Sequence, residues 1–182
     1  NPYDAKGLLM SAIQEDNLVV FSEDKTLLGQ KGNVPEEPYT IEIGKANVTR
    51  EGDDLTIVAI GKMVAVAEET AEKLAEDQVS VEVIDLRSVS PWDQETVLDS
   101  VKKTGRLIVI DESNPQCNIA GDVASVIGDV GFDYLDGPIK KVTAPDTPVP
   151  FAANLEAAYM PNADKVLDIA SELIDDLKKA NA

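Results

Sequence analysis

From Leu55 onward the chain alternates unbroken runs of branched apolar residues with longer segments whose apolar residues recur at helical spacing. Leu55–Ile60, Val81–Asp85, Arg106–Asp111 and Ile139–Val142 read as strands. Met63–Glu76, Pro91–Thr104, Ala120–Val130 and Asn162–Lys179 read as the helices between and after them. A strand that is apolar at every position is buried on both faces, and helices of this length on both faces are what bury it. This pattern predicts βαβ units around a mostly parallel sheet. Within Met63–Glu76, Val64, Ala67, Ala71 and Leu74 share a face; in the last helix Val166, Ile169, Ala170, Leu173 and Leu177 do. Lys45–Arg50 alternates like an edge strand, and Gly52-Asp53-Asp54 is a turn.

The N-terminal part reads differently. Pro2 suits the first turn of a helix, where its missing N–H costs nothing. Leu8, Leu9, Ala12 and Ile13 give that helix an apolar face, and Asp16-Asn17 ends it. Leu18–Phe21 reads as a buried strand. Ser22–Pro38 turns polar, with Gly29, Gly32, Pro35 and Pro38, and reads as a surface loop and linker. The expected division is therefore residues 1–38 and residues 39–182. The chain opens Asn1-Pro2-Tyr3, without Met and directly in a helical pattern, which points to a fragment or a processed product.

Composition narrows the function. At 182 residues and 43% apolar, the chain builds a sizeable core, and aromatics at 4% leave that core to Val, Ile, Leu and Ala. A net charge of −18 repels phosphate backbones, so nucleic acid is not expected as a partner; the charge suits a basic protein partner or, more plainly, solubility. Cys117 is the only cysteine, which rules out a disulfide framework and fits a reducing cytoplasm. The apolar runs are too short to span a bilayer, and no signal-peptide pattern opens the chain, so a membrane role is not expected.

There is no histidine, which removes the commonest general base and metal ligand and every Ser-His-Asp or Cys-His nucleophile system. Neither a GxGxxG nor a P-loop pattern is present. The stretch Arg106–Phe151 is dense in strand, cap and turn signals yet almost empty of reactive groups. In open parallel sheets ligands sit beyond the carboxyl ends of the strands. Asp85, Arg87, Asp111 and Glu112 fall there, either as an acid/base cluster or, more plainly, as ion pairs and caps at a domain junction. Cys117 is either a reactive thiol before a helix or a small residue packed against the sheet. Ser90-Pro91-Trp92-Asp93 reads as a helix start with proline at the first position, and Trp92 as its hydrophobic plug.

The segments PYDAKGLLMSAI, VIDLRSVSPWDQET, KTGRLIVIDESNPQCNIAGD and GFDYLDGPIKKVTAPDTPVPF resemble the E1 β-subunit of 2-oxo-acid dehydrogenase-type complexes, and EDKTLLGQKG and DESNPQC resemble its acetoin dehydrogenase branch. The resemblance runs over essentially the whole chain but matches only the C-terminal part of such a subunit. It implies a transketolase C-terminal-like fold: α/β, three-layer αβα, with a mixed five-stranded, mostly parallel sheet whose first strand, Lys45–Arg50, is antiparallel. Residues 1–38 would be the tail of the preceding pyrimidine-binding domain. The parent enzyme implied is an α2β2 oxidoreductase using thiamine diphosphate and Mg2+, which cleaves acetoin to acetaldehyde and passes the two-carbon unit to lipoyl-E2.

In that family the cofactor's activating carboxylate, its diphosphate site and the active-site histidines lie outside this region. The resemblance therefore implies no catalytic and no cofactor-binding residue here, and no activity for the chain alone. Its partners would be the E1 α-subunit, a second β-subunit, and the subunit-binding domain of the E2 lipoyl acyltransferase. Two sites carry over: a K+ site at the turn of Ala12, Ile13, Glu15 and Asn17, and an E2 contact at Asp136 in the turn Asp136-Gly137-Pro138. Departures from the acetoin-type pattern are Asp146 for a usual His, Gly137 for Ala and Asn118 for Gly. Pyruvate or branched-chain 2-oxo-acid dehydrogenase β-subunits, and a non-catalytic interaction module, are the alternatives.

Overall fold

A computed structural model describes the backbone of residues 1–180 and the side chains of residues 1–174. Five strands form one sheet: β1 (Asn47–Arg50), β2 (Leu55–Ala59), β3 (Val81–Asp85), β4 (Leu107–Ile110) and β5 (Lys140–Val142), in the order β1-β3-β2-β4-β5. β2 runs parallel to β3 and β4, and β4 to β5, while β1 is antiparallel to β3. In the register, Ile57 lies between Val83 and Ile108, and Val58 between Ile84 and Val109. Every residue of β2, β3 and β4 is buried, as continuous apolar runs require.

Helices cover both faces. On one, α2 (Met63–Glu76) and α6 (Ala163–Ala180) lay Met63, Ala67, Ala71, Leu74, Val166, Ala170 and Leu173 against Ile57, Val83 and Ile108. On the other, α3 (Gln94–Thr104) and α4 (Ile119–Val130) pack Val97, Val101, Val123 and Ile127 against Val58, Ile84 and Val109. The period-3.6 faces read for α2 and α6 therefore point inward, in the expected three layers, whereas the apolar face read for residues 2–14 does not: Leu9 and Ile13 are 42% and 69% exposed. The side chain of Leu177, expected on the α6 face, lies outside the described residues.

Three local expectations are corrected. Leu18–Phe21 is not a buried strand: it carries no regular structure, and Leu18 and Val20 are 94% and 87% exposed. Apolar side chains make a strand only where another strand completes their hydrogen bonds, and the sheet ends at β1 on that side. Second, α3 starts after Asp93 rather than at Pro91. The Asp93 carboxylate accepts from the Thr96 amide (3.2 Å) and hydroxyl (2.8 Å), so it takes the cap, and the cis Ser90–Pro91 bond lies outside the helix. Asp93 also accepts from the Ala46 amide (3.1 Å), tying the lead into β1 to α3. Third, an unanticipated helix, α5 (Ala153–Tyr159), follows the proline-rich stretch; it is short and has no side-chain cap to announce it.

The first helix, α1 (Pro2–Gln14), has Asn1 as its cap and Pro2 in its first turn, as expected. It docks through a small set of contacts. Tyr3 stacks on Tyr39 (4.6 Å between ring centroids), the Ser11 hydroxyl donates to the Ile41 carbonyl (2.5 Å), and the Gly7 carbonyl accepts from the Ile41 amide (3.2 Å). Gly7 is required at this crossing, because a Cβ there would lie 2.6 Å from the Ile41 side chain.

Candidate functional site

Topology selects where to look. From β2 the chain goes to β3 on one side, and from β3 it crosses back past β2 to β4 on the other, so the crevice between the β2 and β4 ends is the sheet's switch point. Lys62 and Glu112 close across it in an ion pair of 3.1 Å. Asp111, beside them, is buried and accepts from the Ser113 amide (2.9 Å) and hydroxyl (2.7 Å) and from the Ala120 amide (3.4 Å). Its carboxylate thus shapes the loop that leads into α4.

One strand further out, buried Asp85 accepts from the Arg87 amide (3.0 Å). The Arg87 guanidinium reaches away from the sheet, to Asp4 on α1, at 2.8 Å with both side chains largely buried. Burial pushes the Asp85 carboxyl above its ordinary value; the bond from the Arg87 amide opposes this, and the nearby Asp4 carboxylate adds to it. Asp85, Arg87, Asp111 and Glu112 are therefore not one acid/base cluster. Each carboxylate already has a structural partner, and Arg87 is a junction between α1 and the sheet. Asp4 was missed by sequence reasoning: it sits 83 positions before Arg87, and nothing local marks it as an ion-pair residue.

Cys117 is exposed and in the left-handed region (φ 51°), rather than packed against the sheet. The reason is its neighbour. The Asn118 side chain caps α4 by accepting from the Gly121 amide (2.7 Å) and donates to the Asn114 carbonyl (2.7 Å), which leaves Cys117 one residue outside the helix. Asn118 thus has a capping role at a position where the related pattern has Gly. Trp92 is half-buried against the core on the α3 side, as a plug should be.

At the end of α1, Ala12 is half-buried and Ile13, Glu15 and Asn17 are exposed. The Asn17 amide donates to the Glu15 carboxylate (3.2 Å), and Glu15, not Asn17, is the C-terminal cap. At the opposite end of the molecule Asp136 is exposed, with its amide donating to the Gly105 carbonyl (2.8 Å). Gly105 closes α3 with φ 68°, and the Asp136 carboxylate occupies the space a Cβ there would need. The two expected sites are thus far apart, one beside the carboxyl ends of the strands and one beside their amino ends.

The fold and these sequence features agree with the transketolase C-terminal domain, which matches residues 44–166. The chain belongs to that family. Among curated relatives, the β-subunit of acetoin:2,6-dichlorophenolindophenol oxidoreductase of Bacillus subtilis is 52% identical, over 96% of this chain and 51% of its own length. The Cupriavidus necator protein of the same description is 47% identical, over 91% of this chain and 49% of its own length. The pyruvate dehydrogenase E1 β-subunit of B. subtilis is 46% identical, over 96% and 54%. The chain spans about half the length of the curated relatives it matches. Among solved structures, one described as a split-gene transketolase, an inactive β4 tetramer, superposes with a TM-score of 0.65 at 29% identity, over 75% of this chain and 43% of that one.

Within this transketolase C-terminal domain, no group of three or more His, Cys, Asp or Glu able to hold a metal ion is found among the described residues. The carboxylates at the strand ends are already engaged by Arg87, Ser113, Ala120 and Lys62. They do not fit a Mg2+–diphosphate group. No described helix is long and apolar enough to cross a membrane.

Proposed function

We propose that this chain is the C-terminal region of the β-subunit of a thiamine diphosphate-dependent acetoin dehydrogenase E1, and that it serves assembly and docking rather than chemistry. The observation that carries the reading is the combination of 52% identity to an acetoin oxidoreductase β-subunit with a strand-end crevice whose carboxylates are all spent on structure. The cofactor, when bound in the parent α2β2 enzyme, supplies the electron sink for cleaving the carbon–carbon bond of acetoin. This chain contributes the sheet domain, which holds the partner surfaces. On this reading the E1 α-subunit and a second β-subunit complete the enzyme, and Asp136 contacts the basic subunit-binding domain of the E2 acyltransferase. The chain's net charge of −18 supports a basic partner.

A K+ ion at Ala12, Ile13, Glu15 and Asn17 belongs to the same proposal. The last carbonyls of a helix lack intrahelical partners, and with a carboxylate and an amide oxygen they offer the hard oxygen donors such a cation prefers. The full α2β2 enzyme, assayed with acetoin and with pyruvate in the presence of an electron acceptor, tests the reading. Turnover of acetoin well above pyruvate is expected; the reverse preference overturns the substrate assignment. Turnover by the 182-residue chain alone overturns the assembly role.

A further inference from the structure

Two carboxylates share one cation where α1 meets the sheet. Asp4 on α1 and Asp85 at the end of β3 are only 4% and 8% exposed. Arg87 serves both: its amide donates to Asp85 Oδ1 (3.0 Å), and its guanidinium lies 2.8 Å from Asp4 Oδ1. The Arg87 backbone is in the left-handed region (φ 58°), a conformation uncommon for a residue with a side chain. The contact with Asp4 is close but poorly aligned: neither Asp4 Oδ1 nor Arg87 Nε has a hydrogen-bond partner among the described residues. The tie between α1 and β3 is thus mainly Coulombic, and its strength follows the charges beside it.

Few other charges face Asp85. Its register partners, Asn47 on β1 and Ala59 on β2, are neutral. The charges that act on it are Asp4, the terminal ammonium of Asn1 and Arg87. Asp4 in turn accepts from the Asn1 side-chain amide (2.6 Å). Burial and the neighbouring Tyr3 and Asp4 raise the Tyr39 phenol, so it is uncharged here. Lys6 turns away, to the carbonyls of Pro35, Glu36 and Glu37. With α1 seated, Asp85 is buried beside a second carboxylate, which penalises its charged form; the bond from the Arg87 amide opposes this. With α1 away, Asp4 is gone, water reaches Asp85, and the Arg87 guanidinium is free to pair with it. The seated helix therefore favours a proton on Asp85, and by linkage that proton favours the seated helix.

We propose that the seating of α1 on the sheet is proton-linked, with Asp85 as the sensor and the Arg87–Asp4 pair as the tie it controls. A carboxyl raised in the seated form contributes fully below its ordinary value and loses that contribution as pH rises through the raised one. Residues 2–14 are therefore held most firmly in mild acid and more loosely at neutral pH. The loop at 85–88 receives this helix at the carboxyl end of β3. The strand-end surface thus changes with pH while the sheet beneath it does not.

Hydrogen exchange of the 182-residue chain between pH 5 and pH 8, each rate divided by the intrinsic rate at that pH, is the test. Protection of residues 2–14 should fall about threefold to tenfold across this range, while β2 and β4 keep theirs. Asp85→Asn should hold residues 2–14 at the acid level at every pH. Acetylating the terminal amine should leave the fall in place. A flat profile in the unmodified chain, or an equal fall in β2 and β4, overturns the proposal. So does a fall that persists in Asp85→Asn, and so does one that vanishes on acetylation, which would make the terminal ammonium the sensor. Asp4→Asn supplies a further arm that does not disturb β3: it should leave residues 2–14 loose at every pH, and a fall as steep as in the unmodified chain overturns the proposal.

Discussion

Replacing Arg87 with alanine should release α1 from the sheet without unfolding the sheet. Arg87 joins Asp4 on α1 at 2.8 Å, and its own amide is held by Asp85 at the end of β3. Alanine leaves buried Asp4 with the Asn1 side-chain amide (2.6 Å) but no cationic side chain, near buried Asp85. Removing one partner of a buried ion pair costs about 3–5 kcal/mol. Against this stand the other α1 contacts. The Tyr3–Tyr39 stack contributes about 0.5–1.5 kcal/mol. The hydrogen bonds between Ser11, Gly7 and Ile41, and that from the Tyr39 hydroxyl to the Tyr3 carbonyl (2.8 Å), contribute roughly 1 kcal/mol each, but these and the exposed bonds of Lys6 to the carbonyls of Pro35, Glu36 and Glu37 tie the helix to residues 35–41 rather than to a strand of the sheet. Only Asp4 and Gly7 of the helix are buried, so burial of its apolar side chains adds little. The loss therefore falls on the α1 contact to the end of β3, and the cheaper response is for α1 to leave the sheet and hydrate Asp4. The sheet keeps its two cores, neither of which includes an α1 residue. Hydrogen exchange with mass spectrometry is the assay. Residues 2–14 should exchange about a hundredfold faster, since roughly 1.4 kcal/mol is tenfold, while β2 and β4 keep their protection. Arg87→Lys, which keeps the charge but not the planar fork, should fall between. Unchanged exchange in residues 2–14, or equal loss throughout β2 and β4, refutes the argument.

Other outcomes follow from the same geometry. Burial pushes the Asp93 carboxyl up, but the amides of Ala46 and Thr96, the Thr96 hydroxyl and Lys45 outweigh it and hold the group below its ordinary value. Its stabilisation is then present above the ordinary aspartate range and lost as pH falls. Asp93→Ala should cost about 0.5–2 kcal/mol at pH 7 as a lost cap, with the difference in urea midpoint from wild type shrinking in acid. Asp85 has the opposite sign: its carboxyl is raised, so its contribution is fully present in acid and lost as pH rises through that raised value. Asp85→Asn should therefore have the higher melting temperature at neutral pH and lose that advantage in acid; an advantage that does not depend on pH contradicts the burial argument. At Gly52, a Cβ would overlap the backbone of Val81 and Glu82. Gly52→Ala should destabilise at or above the roughly 1–3 kcal/mol typical of overpacking, and a guanidinium midpoint within error of wild type would contradict it.

The parts of the fold legible in the sequence are those where local pattern and tertiary demand coincide. Val81–Asp85 and Met63–Glu76 were expected with the boundaries observed, because a short run rich in Val and Ile and a clean 3.6 period each have one stable placement. Leu18–Phe21 failed because a strand is defined by its neighbour, and no composition rule supplies one. Pro91 and Asp93 competed for one helix start, and the carboxylate that could reach both Thr96 and Ala46 won. The site suffered more. Asp85, Arg87, Asp111 and Glu112 were correctly gathered at the strand ends, but whether they do chemistry depends on what faces them. Those partners, Asp4, Lys62 and the amide of Ala120, are set by topology and not by spacing.

The arrangement of these groups bears on why such a domain can lack reactive residues. Near the carboxyl ends of the strands, the ionic side chains point at one another: Lys62 at Glu112, Arg87 at Asp4. Ion pairs closed within the domain leave few charges to offer a substrate, yet they fix the loops at 85–88 and 111–118 on which other elements can rest. On the α3–α4 side the charges behave differently. Asp129, Asp133 and Asp136 are exposed and form no ion pair among the described residues, in the same stretch as exposed Phe132 and Tyr134. Unpaired like charges around exposed aromatics cost solvation and repulsion in the free chain, and a cation from outside relieves both. Paired charge at the crevice and unpaired charge at the turn after α4 agree with the assembly and docking role proposed above. A measurable corollary is that 0.5 M salt should leave the α1 junction intact, because buried pairs are screened little, while weakening capture of a basic partner severalfold. Equal salt sensitivity of the two would mean that the Arg87–Asp4 pair is solvated, and that the release expected for Arg87→Ala rests on the wrong energy.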